Sequence, residues 1–109
     1  FFIGAVVSYP GKGSSFPPHT HVEPEIYFYK FLPENGYGYA EVGDTVYKVH
    51  HNDATCMAHG VTHSQATAPG YAEYYIWAIR LRDNDPMVTT VVPEHAWVAE
   101  KDAKYFPEI

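Results

Sequence analysis

His19-Thr20-His21-Val22-Glu23-Pro24-Glu25-Ile26-Tyr27-Phe28-Tyr29-Lys30-Phe31 is the stretch on which the fold turns. Its second half is aromatic and β-branched, a composition suited to a pleated, half-buried chain, and Pro33 with Asn35-Gly36 ends it. Side chains two apart on a strand share a face, so a regular strand through this stretch turns His19, His21 and Glu25 to one side. Tyr27, Tyr29 and Phe31 continue that face, and Lys30 falls on the other.

Upstream, residues 2–9 form an apolar run rich in Val, closed by Pro10-Gly11 and Gly13. Downstream, residues 37–42, 45–50, 55–57, 63–68 and 71–81 read as strands, separated by Gly43-Asp44, His51-Asn52-Asp53, residues 58–62 and Pro69-Gly70. Short strands with turn signals this regular specify an all-β, antiparallel barrel or sandwich. Arg82-Asp83-Asn84-Asp85-Pro86 is a turn, and 87–92 is an eighth strand or an arm. Residues 93–109 permit a short helical turn in an otherwise irregular tail, because no 3.6-residue stripe is sustained there.

A chain of 109 residues supports one core, so residues 1–109 are expected to form a single domain. Its opening inside a strand-like run, Phe1-Phe2-Ile3, is expected of one part of something longer. Thirteen acidic residues against seven Lys plus Arg give a charge of −6, which argues against a nucleic-acid partner. No apolar run is long enough to cross a bilayer as a helix, so a membrane partner is not expected. Cys56 stands alone, so the expected compartment is the cytoplasm and Cys56 itself is expected to be a small buried hydrophobe. The aromatic ends, Phe1-Phe2-Ile3 and Trp97 with Tyr105-Phe106, predict a homodimer or larger oligomer.

The chemistry lies in His19, His21 and Glu25, joined by His63 from a later strand that returns beside the first. Three imidazoles and a carboxylate suit one borderline divalent metal, Zn, Mn, Fe, Ni or Co, and not Ca or a thiolate site. Glu23 is the rival carboxylate, with the same strand parity. His59, in the turn before Gly60, is either a solvent-facing turn residue or an acid/base beside the site. Gln65 and Thr67 share the parity of His63 and are candidates to contact substrate hydroxyls, and Arg80 can face either side of its strand. Ten Tyr residues exceed what core filling needs, so a pocket lined by them is polar as well as aromatic, with Tyr29 on the ligand face.

At these residues the sequence resembles the cupins. Gly13, His19-Thr20-His21 and Glu25 fit the first cupin motif, while Leu32 stands where its last Gly is expected; Gly60 and His63 keep the second, with Asn52 and Ala58 replacing its Gly and Pro. More narrowly, residues 14–21, 25–31, Gly60-Val61-Thr62-His63, Ala68-Pro69-Gly70-Tyr71 and Pro93-Glu94-His95-Ala96-Trp97 are similar to the C-terminal cupin half of the 5-deoxyglucuronate isomerase family of inositol breakdown. That resemblance implies a jelly-roll barrel, a chain that is one half of a two-cupin protein or a small relative, and an aldose–ketose isomerase acting on a sugar acid. Within it the metal polarises a carbonyl, His59 or Tyr29 moves the proton, and Lys30 (Arg in the family) or Arg80 holds the sugar carboxylate. Two other readings stay open: an Fe(II) dioxygenase using the same ligands, and a sugar-binding cupin without catalysis.

Overall fold

The computed structural model describes residues 1–12 and 17–104. Gly13 and Ser14-Ser15-Phe16 of the first motif, and Tyr105-Phe106 with the rest of the tail, lie outside the described residues. Among the described residues nine strands follow in order: β1 (Phe2–Ser8), β2 (His19–Thr20), β3 (Glu25–Leu32), β4 (Tyr37–Val42), β5 (Thr45–His50), β6 (Ala54–Met57), β7 (His63–Thr67), β8 (Ala72–Ile79) and β9 (Thr90–Val91). A 3₁₀ segment, Pro93–Ala99, is the short helical turn expected in the tail. Of the expected strand at 87–92 only β9 forms a ladder, pairing with β2.

All ladders are antiparallel and divide into two sheets, β1-β8-β3-β6 and β5-β4-β7-β2-β9. Among the described residues no ladder joins them into a closed cylinder, so the expected barrel is here a two-sheet antiparallel fold. Burial alternates along β3, with Glu25, Tyr27, Tyr29 and Phe31 inward, and along β7, with His63, Gln65 and Thr67 inward. The shared core takes Tyr27, Tyr29, Phe31, Met57 and Tyr75 from one sheet and Ala40 and Val49 from the other.

The decisive stretch departs from the single regular strand expected of it. His19–Thr20 belongs to the five-stranded sheet and Glu25–Leu32 to the four-stranded one, so the chain crosses between sheets at residues 21–24. Pro24, which has no N–H for a ladder, sits at the end of that crossing. Inward alternation nevertheless persists through it, because His21 and Glu23 are buried and Val22 and Pro24 exposed. Cys56 also departs from expectation: it is exposed, because Met57 takes the inward position opposite Glu25 and leaves Cys56 on the outer face of β6.

One close approach fixes the end of β1. A Cβ on Gly4 would lie 2.1 Å from Trp77 Cζ2, so only glycine lets the indole lie across the β1 backbone. Phe2 meets the same indole edge-on at 4.8 Å.

Candidate metal centre

The β2–β7 ladder sets His19 directly opposite His63, and the two rings lie 4.4 Å apart. His21 enters from the crossing segment, its ring 5.0 Å from His63 and 5.9 Å from His19. One nitrogen from each of the three imidazoles lies within 4.8 Å of the others, a cluster that could hold a divalent metal. Glu25, first residue of β3, approaches from the opposite sheet: its Oε2 is 2.9 Å from His21 Nε2 and 3.0 Å from His63 Nε2. His21, Glu25 and His63 are buried and His19 half-buried.

Each ring is oriented by the carbonyl of a residue two positions away. Nδ1–H of His19 donates to Pro17 O, that of His21 to Glu23 O and that of His63 to Val61 O, all at 2.9 Å. With the proton held at Nδ1, each Nε2 carries a lone pair, the form in which imidazole ligates a metal. His63 Nε2 is fully buried without a hydrogen bond. Lone pairs aimed at a carboxylate oxygen repel it unless protons or a cation lie between them, and one divalent ion satisfies the whole set. The residues present therefore fit a metal.

Titration behaviour agrees with a ligand set. Burial pulls the His19 pKa below its ordinary value, against the raising effect of the Pro17 carbonyl. Burial pushes Glu25 up, but the nearness of His63, with help from Tyr27 and His21, outweighs it and holds the carboxyl below the usual range. Glu23 lies on the far side of His21. Its Oε2 is 4.0 Å from His21 Nδ1, and its Oε1 is 3.6 Å from Arg82, which also pairs with Asp85 at 2.7 Å.

A cavity of about 360 Å³ opens on this cluster, walled by Phe2, Tyr27, Tyr75, Trp77, Ile79 and Met87. Gln65 lines it, its Oε1 accepting from Tyr29 O–H at 2.7 Å and its Nε2 buried without a partner. Tyr29 does not line the cavity; its hydroxyl is 2.7 Å from Thr55 Oγ1 as well, and burial pushes its pKa far up, so it stays protonated. Thr67 donates to the buried Glu73 and is likewise outside the lining. Lys30 lies on the outer face of β3, bonded to Asn52 Oδ1, as its parity requires. Arg80 is exposed beyond the end of β8, and His59 is exposed in its turn; neither reaches the cavity, and no Lys or Arg lines it among the described residues.

Sequence reasoning missed Tyr75, Trp77 and Ile79, which face inward on alternate positions of β8, and Met87 from the segment after it. The period-2 pattern of 73, 75, 77 and 79 was available, but without a register it does not say which set is inside.

Comparison with known proteins follows the same lines. A profile of the KduI/IolB family matches residues 1–98, and the chain belongs to that family. An IolB-like protein from Salmonella typhimurium LT2 superposes with a TM-score of 0.79 at 25% identity, covering 90% of this chain and 42% of that one. Oxalate oxidase in complex with glycolate (TM-score 0.62, 18% identity, 84% of this chain and 45% of that one) shares the fold. So does a cupin-like protein from Thermotoga maritima MSB8 (0.61, 19%, 92% and 73%). The chain thus spans less than half the length of the first two of these relatives. No curated protein matches it.

Proposed function

We propose that this member of the KduI/IolB family holds one divalent transition metal, Zn, Mn, Fe, Ni or Co, through His19, His21, Glu25 and His63, and interconverts the aldose and ketose forms of a uronic-acid-like sugar such as 5-deoxyglucuronate. The observation that carries the reading is the convergence of three carbonyl-oriented imidazoles and one carboxylate at the mouth of a cavity of sugar size. Held by these four side chains, a divalent ion would supply Lewis-acid polarisation of a substrate carbonyl.

The chain's own residues orient the sugar. Gln65 Nε2 is a buried donor without a partner and is held by Tyr29, so it is suited to a substrate hydroxyl. Burial, together with the Glu25 carboxylate, pushes the Tyr27 hydroxyl far above its usual range; it remains a donor to Glu25 and keeps that carboxylate in position. Tyr75 and Trp77 offer the apolar faces of the ring something to pack on. His59, Lys30, Thr67 and Arg80 stand outside the cavity lining and make no contact with the sugar.

A second reading is favoured by one observation, the lack of any Lys or Arg in the described lining of an aromatic cavity. It is a different metal-dependent enzyme, such as an Fe(II) dioxygenase, acting on a less charged substrate. Metal-loaded protein incubated with uronic acids and aldoses in deuterated water, followed by NMR for aldehyde loss and ketone gain, tests the first reading. Conversion lost in His21→Ala supports it. No conversion by fully loaded, folded protein rejects it, and oxygen uptake with another substrate then selects the second; tight sugar binding without turnover selects a binding role.

A further inference from the structure

The outer face of the four-stranded sheet is apolar where a solvated sheet is polar. A sheet packed on one side only alternates apolar inward with polar outward. Here β3 is apolar on both sides: Tyr27, Tyr29 and Phe31 enter the core, and Ile26, Phe28 and Leu32 face out at 53, 37 and 72% exposure. Registers extend this across the sheet. One row runs Ile3, Ala78, Ile26, Cys56, and the next runs Ala5, Ile76, Phe28, Ala54. Beyond them lie Val7 and Tyr74, 49 and 38% exposed. Lys30 is the one charged side chain among these outward positions, and it is drawn aside to Asn52 and over the Phe28 ring. On the outer face of the other sheet the exposed Tyr39 and Val46 are interspersed with the charged or polar Glu41, Lys48 and His50.

We propose that this face, centred on Ile26, Phe28 and Ile76, is an interface and that its occupant is a second copy of this chain. Three features select that partner. Large and small residues alternate in the row Ile3, Ala78, Ile26, Cys56, and in the next row Ile76 and Phe28 stand between two alanines, so a twofold-related copy can set large side chains against small ones in an isologous sheet-on-sheet contact. The chain is strongly acidic, yet these positions hold no carboxylate, so two copies meet there without opposing like charges, while a basic partner or a polyanion finds nothing to hold. Strands of seven, eight, eight and four residues at about 4.8 Å spacing give a face of roughly 400 Å² in projection, more in accessible area, against the ~800 Å² per partner of a standard interface.

Sedimentation equilibrium of the metal-loaded protein over micromolar to submillimolar concentration tests this. The expected mass is twice 12.3 kDa. Phe28→Glu should raise the dissociation constant by roughly 30-fold or more, because it buries a charge at the centre of the contact. Ile3→Lys, at a position already 63% exposed, is a second variant less able to disturb folding. Val46→Glu on the opposite sheet should leave the dimer unchanged, and circular dichroism and metal content should be retained throughout. A wild-type monomer across the range overturns the proposal. So does a dimer that survives both face variants, or one that dissociates on Trp97→Ala instead, which would move the interface to the aromatic tail.

Discussion

Glu73→Gln is expected to remove most of one pH dependence of folding. Glu73 is fully buried at the inward position of β8; Oε2 accepts from Thr67 and Oε1 has no partner. Burial pushes its carboxyl from 4.5 up to about 7, against the lowering effect of the Thr67 hydroxyl. Its folded pKa is raised, so its contribution to stability is fully present below pH 4.5, where both states are protonated, and is lost as pH rises toward about 7, because the unfolded chain ionises first. At 1.36 kcal/mol per unit this is a loss of about 3 kcal/mol. A glutamine keeps the shape and the acceptor for Thr67 but cannot ionise. Urea unfolding of metal-free wild type and variant at pH 4.5, 6 and 8 isolates the effect, since titration of His19 and Glu25 is common to both and cancels in the difference. The variant should gain about 3 kcal/mol relative to wild type between pH 4.5 and 8, with unchanged m-value. A difference constant with pH would refute the reasoning and mean that Glu73 is solvated or paired.

His21→Ala should weaken metal binding by more than about 100-fold, since loss of an outer support alone costs 10- to 100-fold; elemental analysis after dialysis measures it, and the β-rich circular dichroism should remain. Tyr29→Phe leaves Gln65 Oε1 and Thr55 Oγ1 without their phenol partner and should cost about 1–3 kcal/mol in chemical denaturation. Gly4→Ala drives a methyl into Trp77 and should cost about 1–3 kcal/mol, with a shift in indole fluorescence as the ring leaves the cavity wall.

The sequence was most readable where a local period carries the information and least where register does. β3 and β7 follow alternation that any window of the chain displays, so the inward set from Glu25 to Phe31 and the shared face of His63, Gln65 and Thr67 were legible. That His19 and Glu25 stand on different sheets was not, because the switch depends on β2 finding β7 and β9, more than forty residues away; Pro24 is the one local sign of it. His59, beside the turn leading to a ligand, is exposed, in keeping with the solvent-facing one of its two sequence readings, while parity alone already kept Lys30 off the ligand face. The outward Ile26 and Phe28 make the same point from the other side. An unbroken aromatic run looks like one well-packed strand, and only the ladders to β8 and β6 reveal that its second face joins Ile76, Ala78 and Cys56 in a surface with no core of its own to enter. A strand apolar on both faces needs two layers to cover it, and the described residues supply one.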